Sequence, residues 1–433
     1  MPRRLDFADP GFDVAFARVL DAKRESAEDV DDAVKAILAD VRARGDAAVV
    51  ECTRRFDRVE LTPDRFRVDA AEIDAATAAC APDTLAALAL AAKRIEAFHR
   101  RQLPVDTTER DEHGTLLGSV WHPIEAVGLY VPGGTAAYPS SVLMNALPAR
   151  VAEVPRLVMV VPAPDGAINP LVLAAARHVG VTEIYRIGGA QAIGALAFGT
   201  ATIAPVDKIV GPGNAYVAAA KRQVYGIVGI DAIAGPSEIL VVADRQNDPT
   251  WIAADLLSQA EHDRSAQAIL ITDDAAFADR VAAAVEDHLK TLPRAGIAAD
   301  SWDRHGLIIT VPALDRAVAL VDRIAPEHLE LAIEAPEALA RRIRNAGAIF
   351  LGRYTPEAVG DYVAGPNHVL PTGRTARFSS GLSVLDFMKR TSIVGCDAGA
   401  LAAIGPAAIT LAEAEGLDAH ARSIAIRLNR RGA

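Results

Sequence analysis

From about residue 125 onward, short β-branched runs alternate with helical stretches, and the junctions carry Gly or Pro. The first series is Ala126-Val127-Gly128-Leu129-Tyr130-Val131, Leu157-Val158-Met159-Val160-Val161, Glu183-Ile184-Tyr185-Arg186-Ile187 and Lys208-Ile209-Val210. A helix between two strands is the connection that parallel pairing needs, so this order predicts β-α-β units. A second series follows at Ile239-Leu240-Val241-Val242, Ala268-Ile269-Leu270-Ile271 and Gly306-Leu307-Ile308-Ile309. Between them, Ile233-Ala234-Gly235-Pro236-Ser237-Glu238 is the expected crossing point from one block to the next. Residues 10 to 100 read as alanine-rich helices with turns at Arg44-Gly45-Asp46 and Leu61-Thr62-Pro63-Asp64, and the last 50 residues return to helix.

A chain of 433 residues is too long for one ordinary core. The hydrophobic share of 51% with 23% charged residues is that of a globular protein. A formal net charge of -11 argues against a surface built for nucleic acid or anionic lipid, while leaving room for a local pocket that takes a dinucleotide phosphate. Cys52, Cys80 and Cys396 are widely spaced without a Cys-x-x-Cys pair, which reads as reduced thiols of a cytoplasmic protein. The start, Met-Pro-Arg-Arg-Leu-Asp-Phe-Ala-Asp-Pro, lacks a signal-type apolar stretch, and no run reaches the roughly 18 apolar residues of a membrane span.

Three glycine-rich turns follow strands of the first block: Val131-Pro132-Gly133-Gly134-Thr135, Ile187-Gly188-Gly189-Ala190-Gln191 and Val210-Gly211-Pro212-Gly213-Asn214. Glycine lets backbone approach a ligand, and the helix that follows offers free N–H groups to a phosphate. Open α/β sheets bind ligands at these carboxyl ends, so three such turns favour a nucleotide site. The Gly-x-Gly-x-x-Gly fingerprint is absent, because Gly211-Pro212-Gly213-Asn214-Ala215-Tyr216 ends in Tyr. No Walker Gly-Lys-Ser/Thr occurs either. The expected fold is therefore α/β, with two Rossmann-like parallel blocks and helical N-terminal and C-terminal segments.

The polar residues of interest fall mostly in the second half. Gln259 and His262 are three apart on one apparent helix, a spacing that sets side chains about 5 to 6 Å apart at Cβ and lets both touch one ion. Asp361, His368 and His420 follow in Gly-, Pro- or acid-rich settings. With no thiolate cluster, zinc, manganese or cobalt are the candidate ions. Glu327 and His328, directly after Pro326, read as the first turn of a helix, where neighbouring side chains border one cavity without sharing a ligand position. That arrangement suits proton transfer better than chelation.

With these residues in view, the chain resembles the histidinol dehydrogenase family along nearly its whole length. The resemblance runs through Tyr130-Val-Pro-Gly-Gly, Gly188-Gly-Ala-Gln191-Ala-Ile, Val210-Gly-Pro-Gly-Asn214, Ala234-Gly-Pro-Ser237-Glu, Ser258-Gln259-Ala-Glu-His262, Pro326-Glu327-His328, Asp361-Tyr-Val-Ala-Gly-Pro-Asn-His368 and Glu415-Gly-Leu-Asp-Ala-His420. It implies Zn2+ held by Gln259, His262, Asp361 and His420, with Glu327 and His328 as the acid/base pair. It further implies NAD contacts at Tyr130, Gln191 and Asn214, and substrate contacts at Ser237, His328 and Glu415 as well as at the four metal ligands. The implied reaction is NAD-dependent oxidation of L-histidinol to L-histidine through L-histidinal; a related zinc and NAD enzyme for another small polyol or amino alcohol is the alternative. The family also implies a homodimer whose C-terminal segment completes the partner's site. On this reading the chain divides into an N-terminal helical arm at 1–23, a catalytic and metal-binding domain at 24–129 plus 239–380, an NAD-binding domain at 130–238, and a C-terminal helical segment at 381–433.

Overall fold

A computed structural model describes residues 1–21, 28–133 and 138–429. Gly134 and Thr135 of the first glycine turn lie outside the described residues, as do 22–23 of the expected arm and the last four residues. In chain order the strands are β1 (Arg3–Asp6), β2 (Thr107–Arg110), β3 (Leu116–Pro123), β4 (Ala126–Tyr130), β5 (Arg156–Val160), β6 (Glu183–Tyr185) and β7 (Lys208–Val210). They continue with β8 (Gly229–Ile230), β9 (Glu238–Ala243), β10 (Gln267–Thr272), β11 (Leu307–Thr310), β12 (His328–Ala332), β13 (Ala348–Leu351) and β14 (Met388–Gly395).

Two parallel sheets carry the molecule, as the alternating runs predict. One has five strands in the order β6-β5-β4-β7-β8, the other six in the order β1-β11-β10-β9-β12-β13. Parallel strands buried on both faces read as continuous apolar runs, and β9, Glu238-Ile-Leu-Val-Val-Ala243, is buried at every position. Residues 231–237 are the link between the sheets, where the crossing was expected.

Three features differ from the expected division. The supposed N-terminal helical arm begins as a strand, since β1 pairs with β11 from Arg3↔Leu307 to Asp6↔Thr310 before the helix Phe12–Asp21. Helices between residues 28 and 99 pack on the five-stranded sheet instead of the six-stranded one. Val34, Leu38 and Val41 join Val158, Val160 and Ile193 in one core, and Leu88, Ala91 and Ile95 join Leu129, Leu143 and Met159 in another. The C-terminal segment holds β14, which with β3 and β2 forms a small antiparallel sheet. β2 is exposed throughout and β14 nearly so, which leaves no apolar alternation to read from sequence.

Candidate active site

A cleft of about 690 Å³ separates the two sheets and is lined by residues of both. From the five-stranded side come Tyr130, Pro132, Gly133, Tyr138, Gly213 and Asn214; from the six-stranded side come Ser237, Gln259, His262, Glu327, His328 and Asp361.

On the first side the glycine turns behave as their residues require. Gly211 has φ +111°, and a Cβ there would lie 2.1 Å from the Tyr130 carbonyl oxygen, so this position excludes a side chain. Asn214 caps the helix Ala215–Val224, its Oδ1 accepting from Val217 N at 3.2 Å. Tyr130 is buried, its hydroxyl accepts from Gly189 N at 3.1 Å, and burial pushes the phenol up to about 12. Gln191 lies inside the helix Gly189–Phe198, almost fully buried, and does not line the cleft; its Oε1 has no partner.

On the second side the helix Pro249–Ala260 starts on an Asp248 cap with Pro249 in its first turn and buries Ile252, Leu256 and Leu257. Gln259 is its penultimate residue. His262 stands beyond the helix end, not on it, but the following turn bonds His262 N to Gln259 O at 3.1 Å. Their side chains still meet, with Gln259 Nε2 3.4 Å from His262 Nδ1, while the buried Gln259 Oε1 has no hydrogen-bond partner.

Glu327 and His328 do not begin a helix. The helix Ala317–Ile324 stops at Ala325 in a left-handed conformation, φ 49°, and Pro326 follows that stop. His328 then opens β12, which is fully buried between β9 and β13. Both residues grip the backbone of Glu238: Glu327 Oε2 accepts its N–H at 2.9 Å, and His328 Nδ1 donates to its carbonyl at 2.9 Å. A carbonyl can only accept, so the proton sits on Nδ1 and the buried, unpartnered Nε2 keeps its lone pair. Burial lowers the His328 pKa and so holds the ring neutral.

Asp361 lies in the helix Glu357–Tyr362, and the chain after it is tied to the first lobe: Arg94 Nε donates to Val363 O at 2.6 Å and Asn367 Nδ2 to Met144 O at 2.6 Å. His368 Nδ1 donates to Asp361 O at 3.0 Å. Glu357 is the residue that sequence reasoning missed. Its Oε1 is 3.6 Å from His328 Nε2, and it precedes Asp361 by four positions, a same-face helical spacing that could have flagged it. Burial, then the Asp361 charge, pushes Glu357 up to about 9. Glu327 is raised well above the usual carboxylate value by burial and by Glu238, Asp361 and Glu357. Among the described residues, no Lys or Arg pairs with Glu327, Glu357 or Asp361, and the basic groups within 4.0 Å are the rings of His328 and His368. Uncompensated buried carboxylates beside an orphaned amide oxygen fit a cation. His328, Glu357 and Asp361 form the one tight group of possible metal donors found among the described His, Cys, Asp and Glu residues.

Glu415 and His420 do not reach this cleft within one chain. Glu415 caps the helix Ala398–Ala414, His420 lies in the helix Asp418–Ala425, and both are exposed on a helical pair with its own small core.

Two parallel sheets, with glycine turns on one wall of the cleft and a buried Glu-His pair on the other, have the architecture of a dinucleotide-dependent enzyme of the α/β class. A family model for histidinol dehydrogenase matches residues 20–428. The chain is 67% identical over 431 residues to a histidinol dehydrogenase of Rhodospirillum rubrum, covering 99% of each, and 67% identical over 429 residues to one of Rhizobium meliloti, again 99% of each. The crystal structure of histidinol dehydrogenase from Elizabethkingia anophelis superposes with a TM-score of 0.94 at 37% identity, covering 99% of this chain and 98% of that one. The chain belongs to the histidinol dehydrogenase family, which carries out the final steps of histidine biosynthesis and uses NAD and zinc.

Proposed function

We propose that this cleft oxidises L-histidinol to L-histidine through L-histidinal, with His328 and Glu327 dividing the proton transfers. The observation that carries the assignment is the His328 ring, whose Nδ1–H is engaged by the Glu238 carbonyl while the buried Nε2 makes no hydrogen bond and faces Glu357 and Asp361 at 3.6 and 3.9 Å. A neutral imidazole with its lone pair free accepts the substrate hydroxyl proton in the first oxidation. Glu327 takes a proton from the water that adds to the aldehyde, and a base of the same cleft assists the second oxidation. Ser237, directly before the Glu238 peptide that both residues grip, contacts the substrate. NAD supplies the acceptor for the two hydrides, one cofactor molecule per oxidation.

Gln259, His262 and Asp361 would hold Zn2+, with His420 supplied by a second copy of the chain. The orphaned Gln259 Oε1 and the uncompensated carboxylates support this set. Bound zinc would orient the substrate, polarise its hydroxyl and favour the ionised form of Glu327 against the burial and the neighbouring carboxylates that raise it. The exposed positions of Glu415 and His420, away from the cleft of their own chain, support a homodimer with shared sites. Tyr130, Gln191 and Asn214 serve NAD, Tyr130 and Gln191 by shaping the Gly188-Gly189 turn and Asn214 at a helix start. The free cysteines and the absence, among the described residues, of any single helix able to cross a membrane support a cytoplasmic enzyme.

The test is stoichiometry: two NADH formed per L-histidinol consumed, with little turnover of a panel of other small polyols and amino alcohols. One NADH per substrate, or equal rates across the panel, would overturn the reading.

A further inference from the structure

The cleft contains a buried ion pair that the reaction does not use. Lys221 in the helix Ala215–Val224 and Asp231 just after β8 are ion-paired, with side chains 2% and 4% exposed. Both also hold one residue of the glycine turn. Asp231 Oδ2 accepts the Gly211 N–H at 2.7 Å, and Lys221 Nζ donates to the Gly211 carbonyl at 2.9 Å. Gly211 is the position that cannot carry a side chain, and three residues later Asn214 opens the helix at the cleft wall. Asp231 also begins the 231–237 crossing, which ends at Ser237 and lines the same cleft.

We propose that the Lys221–Asp231 pair is a positioning device that sets the Gly211–Asn214 turn for the dinucleotide and ties it to the crossing segment that carries Ser237. This inference rests on the assignment of that turn to NAD. Two fixed charges on one peptide orient both of its polar groups, which water would hold only loosely. A pair kept merely for stability has no such requirement, because apolar residues of similar size often replace a buried ion pair at no loss.

That difference supplies the test. The double variant Lys221→Met/Asp231→Val removes both charges without leaving one unpaired. In the zinc-loaded enzyme its KM for NAD is expected to rise tenfold or more and its KM for histidinol by clearly less, with the zinc content close to that of the parent. A folded double variant whose KM for NAD stays within twofold of the parent would overturn the proposal. If the double variant does not fold, Asp231→Asn keeps the shape and weakens the hold of Lys221, and it is expected to raise the KM for NAD at least threefold; no rise overturns the proposal equally. Asn214→Ala reports separately on the underlying assignment. Unchanged NADH binding in that variant, measured by fluorescence, shows that the turn does not serve NAD, whatever the ion pair does.

Discussion

The five-stranded sheet turns the carboxyl ends of β4 and β7 toward the cleft, together with the amino ends of the helices Pro139–Val151 and Ala215–Val224. The six-stranded sheet does the opposite: Ser237 and His328 stand at the amino ends of β9 and β12, and Gln259 at the carboxyl end of its helix. Helix amino ends carry partial positive charge and carboxyl ends partial negative charge. One wall therefore suits phosphates and the other a cation, so under the proposed assignment the cofactor and the metal need not compete for one field. The first wall works mainly through backbone, the second through buried side chains.

If that contrast is right, lesions on the second wall should stop chemistry while those on the first weaken NAD binding. The largest effects belong to Glu327→Gln and His328→Asn, each expected to lower kcat about 10²–10⁴-fold with little change in the KM for NAD. Supplying histidinal separates them: Glu327→Gln should hurt the aldehyde-to-acid half more, His328→Asn the alcohol-to-aldehyde half. Equal losses in both halves for both variants would end that division of labour.

Next in size is His262→Asn, for which zinc content and turnover should fall together, about tenfold or more. His328→Asn should keep its zinc when measured by metal analysis. The reverse pattern would move the ion to the His328, Glu357 and Asp361 group.

On the first wall, Asn214→Ala removes a helix cap worth about 1 kcal/mol and should raise the KM for NAD about tenfold, leaving kcat at saturating NAD near the parent's. A fall in kcat with unchanged KM would blur the contrast between the walls.

The smallest effect concerns a buried acid on the first side with no catalytic duty. Asp57 ends the helix Asp46–Asp57, where the dipole disfavours a carboxylate, and burial pushes it up to about 6. The charged form costs stability in the folded state above that pH, and the cost vanishes below the ordinary value of 3.8. Asp57→Asn should therefore stabilise by about 1–2 kcal/mol at pH 8 in denaturant titrations, fading as pH falls from 6 toward 4. Destabilisation at pH 8 would refute it.

Legibility followed the same divide. The glycine turns were readable because their demand is local: Gly211 needs positive φ and meets Tyr130 O within a short loop. The Glu327-His328 pair was readable as two polar residues at one cavity but not in its backbone setting. Pro326 serves a helix start or a helix stop equally well, and only pairing with β9 and β13 decides between them. Gln259 and His262 kept their contact although the helix ends between them. The antiparallel sheet was invisible because β14 meets β3 in pairs such as Thr391↔Val120, far apart in sequence and without an apolar stripe.

The pairing of β1 with β11 also orders events during synthesis. Arg3 must wait for Leu307 to leave the ribosome, whereas all five strands of the other sheet are complete by residue 230. Domains fold as units while the chain emerges, so most of the five-stranded lobe can form first, with the leading strand idle beside it and Leu382, Val384 and Phe387 joining its core later. The wall proposed for the cofactor can thus take shape before the wall proposed for the chemistry. During that interval the apolar Leu5 and Phe7, which later pack into the six-stranded core, have no sheet to join.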